Sequence, residues 1–435
     1  MKHLNFTFYC LISAVPIIIF FVFSTLQYVN IYYMSVFSFS TICLIIYRNS
    51  SHLLAYFLTQ SFLISLLRGG FFTYNFPTVL GAFFIAIVFL KNIKLGDKIF
   101  FQQKYFTFFL FLSIYYLFCV VLTGKYNSNL KFIESGLFCA LPGMLFFDRK
   151  IFKKALFFSL IIGTAFSIII SIKYGARVLE NVYEFTSIFE GSNPITFGTF
   201  AGLFFAILVI APGEILSSKI LKNKFYYYSL LIISLFGTIA STSKASFFGA
   251  VFAIVIMSLS TFSIKRIIIL LISFLGFYLT LDFLADDNIF FSYLKYALFD
   301  KSGDFSTEAL TKYSSGRSEM WSLVIGNVLD GKHIFFGTGP GLEFNFERSG
   351  ILKSSHMLHG LPLKLIVEVG LIFTLIFYGM ILKFIKDALM LSKYQSIKVA
   401  AVGILFWFFV SLTVDAMNNS LGVFLGLGLI NAENS

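Results

Sequence analysis

KFYYYSLLIISLFGTIASTSKASFFGAVFAIVIMSLS, residues 224–260, holds two apolar runs on either side of the short polar connector Ser241-Thr242-Ser243. A helix that crosses a bilayer needs about 20 mostly apolar residues, because each residue advances about 1.5 Å through a hydrocarbon core about 30 Å thick. The runs near 225–240 and 244–261 approach that length, contain no acidic residue and lack the period that would leave a polar face for water. Read outward in both directions, the chain repeats this pattern near 5–26, 30–47, 52–67, 73–90, 105–123, 130–147, 154–173, 195–211, 267–284, 362–382, 399–414 and 418–432. The fold class expected is therefore all-α, a polytopic transmembrane helical bundle of about 12–14 spans.

Composition agrees. Of 435 residues, 58% are hydrophobic and 12% charged, and 60 are Phe. The mean hydropathy of +0.87 would leave a water-solvated domain with a large exposed apolar surface. Residues 1–26 have the basic start and apolar run of a secretory signal but no small-residue cleavage site, so they read as a retained first helix. Cys10, Cys43, Cys119 and Cys139 all fall in apolar segments without paired spacing, which predicts buried, inert thiols and neither a disulfide framework nor a metal site.

The net charge of +12 does not gather into a basic domain, which argues against a nucleic-acid partner. It alternates along the chain instead. With the N-terminus cytoplasmic, the inner connections carry Lys91, Lys94, Lys98 and Lys104, then Arg149, Lys150, Lys153 and Lys154, then Lys219, Lys222 and Lys224, and later Lys265, Arg266, Lys383, Lys386, Lys393 and Lys398. The short outer connections carry only Arg68, Lys125, Lys131, Lys173, Arg177 and Lys244. This is the asymmetry of the positive-inside rule. Residues 1–435 thus read as a single integral membrane domain, with 285–361 as one large external loop inserted between two spans.

Long loops of mixed polar chemistry are where function concentrates. In the large loop, Ser314-Ser315-Gly316-Arg317-Ser318-Glu319-Met320-Trp321 leads into residues 322–329, an amphipathic stretch predicted to lie as a short helix on the membrane surface. Arg317 would stand near its N-terminus, where a guanidinium and free backbone N–H groups suit a phosphate; the plainer reading is a solvated arginine. Phe335-Phe336-Gly337-Thr338-Gly339-Pro340-Gly341 lacks the GxxxxGK[ST] pattern and any βαβ context, so it predicts a tight, irregular backbone turn and not a nucleotide site.

Ser354-Ser355-His356-Met357-Leu358-His359-Gly360 then leads back into the membrane, followed by Glu368 and Gly370. An imidazole at this outer lip can be neutral near pH 7 and take the proton of a sugar hydroxyl, although interfacial histidines also serve as simple anchors. His356 and His359, without a third ligand, do not make a metal site. Elsewhere on the outer side, Arg177 and Lys244 occupy positions where cations are disfavoured. Snorkelling would explain each singly, and a phosphate-bearing ligand held between the helices would explain them together.

Taken in order, Arg317 with Trp321, the run Phe336-Gly337-Thr338-Gly339-Pro340-Gly341, and His359 with Glu368-Val369-Gly370-Leu371 resemble the pattern of the O-antigen ligases and O-antigen polymerases. These are bacterial inner-membrane enzymes that act on undecaprenyl-diphosphate-linked glycans. The resemblance is specific over 317–371 and covers only the general plan elsewhere. It implies a metal-independent glycosyltransferase without a cofactor, located in the cell inner membrane with its large loop periplasmic and working in lipopolysaccharide biosynthesis. His359 and Arg317 would be catalytic, and Arg177, Lys244 and His356 would bind diphosphate or substrate. The implied partners are an undecaprenyl-diphosphate-linked oligosaccharide, an acceptor glycan lipid, membrane lipids and a chain-length regulator.

Two positions depart from the family pattern: Gly360 stands where Asn is usual, and Lys244 where ligases commonly carry Arg. Lys offers a point charge and not a bidentate fork, which inclines the reading to a polymerase joining repeat units, with a ligase transferring the finished glycan to lipid A core as the alternative. A flippase for the same lipid-linked glycan would call for several ionisable residues within the spans, where Glu134, Glu368 and Asp415 are the main examples.

Overall fold

A computed structural model describes residues 103–123, 194–212, 223–240, 243–260, 334–337, 360–390 and 395–413, with single positions between 268 and 283. These residues form seven helices: α1 (Gln103–Thr123), α2 (Pro194–Ile210), α3 (Lys224–Ala240), α4 (Lys244–Ser260), α5 (Leu361–Val369), α6 (Leu371–Met390) and α7 (Gln395–Thr413). There is no strand among the described residues, so the all-helical reading holds for them. No helix among them is long and apolar enough to cross a membrane. The expected spans at 5–26, 30–47, 52–67, 73–90, 130–147, 154–173 and 418–432 lie outside the described residues.

Four of the expected segments coincide with single helices to within about two residues: 105–123 with α1, 195–211 with α2, 225–240 with α3 and 244–261 with α4. Start signals account for the agreement. Pro194 opens α2, where its fixed φ fits and its missing N–H is not needed. Ser243 precedes α4, and its Oγ accepts the backbone N–H of Ser246 at 3.3 Å, a capping bond generally worth about 1 kcal/mol.

The expected span at 362–382 is different: the chain forms two helices there, parted at Gly370, and the second runs on to Met390. The cause is the backbone of Gly370, whose φ of 93° lies outside helical space. Its N–H closes α5 by pairing with the carbonyls of Leu365 and Ile366 at 3.1 and 3.0 Å. Its own carbonyl then accepts the N–H of Thr374 at 3.3 Å and the Thr374 hydroxyl at 2.9 Å, starting α6. The last segment also begins earlier than expected, at Gln395.

Helix α2 packs against α3, α4 and α7, and α7 in turn packs against α4, α5 and α6, with α1 against α6. Small residues allow the α2/α4/α7 crossing. A Cβ on Gly202 would meet the Ser246 carbonyl at 2.9 Å and the Phe406 ring at 3.1 Å, and one on Gly249 would meet Val410 at 3.0 Å. Close backbone approach of this kind maximises van der Waals contact between the helices. Buried hydroxyls satisfy themselves on the preceding turn, as Thr238 does on the Ser234 carbonyl at 2.7 Å and Ser411 on that of Phe408 at 2.7 Å.

Candidate functional site

The α5/α6 break is filled by a distant part of the chain. Residues 334–336 form a turn that ends at Gly337, with φ of 68°. The Ile334 carbonyl accepts the backbone N–H of Leu371 at 2.7 Å. A Cβ on Gly337 would lie 2.5 Å from the Glu368 carbonyl carbon and 2.6 Å from both the Glu368 oxygen and the Val369 nitrogen. A Cβ on Gly370 would fall onto the Phe335 carbonyl and within 2.7 Å of the Phe336 nitrogen. The two glycines thus let main chain touch main chain, and neither position has room for a side chain.

Helix α1 closes this junction from the other side. The Tyr115 hydroxyl donates to the Phe335 carbonyl at 3.3 Å, and its ring stacks on Phe373 with centroids 5.5 Å apart. One turn further along, the buried Cys119 thiol lies 3.9 Å from the Val369 carbonyl. Moving four residues forward in α1, from Tyr115 to Cys119, moves four residues backward across the break, from Phe373 to Val369. The two segments therefore run antiparallel. Tyr115→Phe keeps the ring stacking and removes the hydroxyl that bonds to Phe335 and to the Cys119 thiol, so the variant is expected to lose about 1 kcal/mol in an SDS unfolding titration; an unchanged midpoint would refute the bond to Phe335.

A second polar group sits where α2 meets α4. Thr199, Ser243 and Ser246 are buried, with Ser243 and Ser246 hydroxyls 2.8 Å apart and the Thr199 hydroxyl 3.5 Å from that of Ser246. Lys244 follows as the first residue of α4 and is half-buried. A cation on the first turn opposes the helix dipole, at a cost of about 0.3–1 kcal/mol, whereas an anion beside both would be favoured by both.

Of the residues singled out from the sequence, Lys244, Glu368, Gly337 and Gly370 are thus located. Glu368 is buried at the end of α5. Arg177, Arg317, His356 and His359 lie outside the described residues, as does the stretch 322–329. Gly360, which follows His359, adopts φ of 104° immediately before α5. Sequence reading missed Tyr115 and Thr199. A tyrosine inside an apolar run was the available signal for the first, since a buried phenol needs a polar partner.

Neither a comparison with protein-family models nor one with curated proteins returns a match for this chain.

Proposed function

We propose that this protein is an integral membrane glycosyltransferase of the O-antigen polymerase kind, joining undecaprenyl-diphosphate-linked repeat units at the periplasmic face of a bacterial inner membrane. The observation that carries the reading is the meeting of two motif segments. The Gly-rich turn and the Glu368-Val369-Gly370-Leu371 run, far apart in sequence, share one backbone contact, as parts of a single structural unit would.

Membrane embedding is supported by the outer faces of the helices. Phe225, Ile232, Phe283 and Leu375 are 63–76% exposed, and Phe111, Ile114, Phe118 and Leu122 form a continuous apolar face on α1. Such faces suit lipid and not water. A 17-residue helix such as α2 or α4 is about 26 Å long, and local bilayer thinning accommodates so small a shortfall at modest cost.

In the proposed reaction, the acceptor hydroxyl oxygen bonds to the anomeric carbon of the donor glycan while the bond from that carbon to the diphosphate oxygen breaks. His359 takes the hydroxyl proton. Arg317, Arg177 and Lys244 offset the charge that gathers on the departing diphosphate, with His356 beside the acceptor.

The test replaces Arg317 or His359 by Ala in the chromosomal gene, verifies membrane abundance, and resolves the lipopolysaccharide on a gel. Core bearing a single repeat unit is the expected product of each variant. Normal long ladders in both would sink the catalytic roles, and bare core with glycan retained on the lipid carrier would replace the polymerase reading by the ligase one.

A further inference from the structure

We infer that residues 334–337 form a re-entrant turn seated near half-depth in the membrane and not on its outer surface. The inference rests on the membrane reading above and goes beyond it in topology. Hydropathy assigned the whole of 285–361 to the outer side.

Two helices locate the turn independently. Tyr115, which bonds to Phe335, lies close to the middle of Gln103–Thr123. Gly370, against which Phe335 and Phe336 pack, lies a nine-residue helix beyond Gly360, or about 14 Å further along the axis. Both registers place the turn well below the end of α5 at which the chain re-enters, and the antiparallel register of Tyr115/Phe373 and Cys119/Val369 makes the two agree.

The chemistry of the turn fits that depth. Backbone polar groups in hydrocarbon must be paired within the protein. The Ile334 carbonyl is paired by the Leu371 N–H and the Phe335 carbonyl by the Tyr115 hydroxyl. The turn has the glycine its backbone needs, Gly337, but its other exposed residues are apolar: Phe335 and Phe336 are exposed by 52% and 47%. Large aromatic rings held half-exposed on a turn are matched to an apolar surround. In sequence, Arg317 precedes the turn, and His356 and His359 follow it.

The experiment uses the full chain in proteoliposomes, with Cys10, Cys43, Cys119 and Cys139 replaced by Ala and single spin labels introduced at Phe336→Cys, Ser315→Cys, Ser354→Cys and Leu375→Cys. Collision with oxygen, which partitions into lipid, is compared with collision with a water-soluble nickel chelate. The oxygen-to-nickel ratio at 336 is expected to resemble that at 375 and to exceed those at 315 and 354 several-fold. A ratio at 336 equal to that at 354, with 375 remaining lipid-like, overturns the re-entrant turn and leaves the span intact. A water-like ratio at 375 overturns the span and the turn with it. Phe335→Cys provides a second label should the first variant fail to accumulate.

Discussion

Gly370→Ala is expected to be the most damaging single methyl addition in the described part of the molecule, lowering stability by about 4 kcal/mol. Two costs combine. Alanine at a φ of 93° is strained by about 1–3 kcal/mol. The new Cβ would also occupy the position of the Phe335 carbonyl, so the turn must withdraw and the Leu371 N–H loses its 2.7 Å bond to Ile334, leaving a buried donor unsatisfied at about 1–3 kcal/mol. Gly379→Ala is the matched control, inside the helix that starts just after Gly370 and with nothing within 4 Å of its Cβ. It should be neutral or gain up to about 1 kcal/mol from helix propensity. Unfolding midpoints in SDS, with membrane abundance measured in parallel, compare them; equal midpoints would mean that the turn does not sit in the break.

Gly202→Leu is expected to have the second largest effect, because the atom it meets first cannot rotate away. A Cβ at 202 approaches the Ser246 backbone oxygen at 2.9 Å, so even Gly202→Ala forces α2 and α4 apart, at about 1–3 kcal/mol. The longer side chain must also displace Phe406, which is fully buried beside it. Separation there draws Thr199 away from Ser246, already at 3.5 Å, and disturbs the ground on which Lys244 stands. The leucine variant should fail to accumulate in cells while the alanine variant accumulates with a lowered midpoint. Full accumulation of both would contradict the α2/α4 contact.

The helical character of the described residues was legible because apolar run length carries it directly. Helices α3 and α4 are the best case: Lys224 opens the first, the polar Ser241-Thr242-Ser243 separates the two runs in sequence, and neither run has a competing pattern. The break at Gly370 was not legible. Hydropathy continues through Glu368-Val369-Gly370-Leu371 into Ile372-Phe373, and a single glycine inside an apolar run does not by itself end a helix. What turns the chain there is a contact from residues 334–337, and no window on 360–390 contains it. For the site, the described part of the turn expected at 335–341 is a turn at 334–336 ending at Gly337. The donor for that turn was not readable, since Tyr115 lies 220 residues away from Phe335. Charge alternation located Lys244 on a connection, but only the fold puts it on the first turn of α4 beside three buried hydroxyls.

The junction at Gly337 and Gly370 is built from main-chain atoms, and this has an evolutionary corollary. Its demand on the genome is two codons for a residue without a side chain, plus one hydroxyl donor on α1. Phe335, Phe336 and Leu371 contribute chiefly peptide groups to it, so their identities are free to drift as long as they remain apolar, whereas Val369 is fully buried and held to its volume. Lineages sharing this junction would diverge in almost every letter while keeping the two bare positions in step, and a change at one would be compensated not at its neighbours but in the other segment.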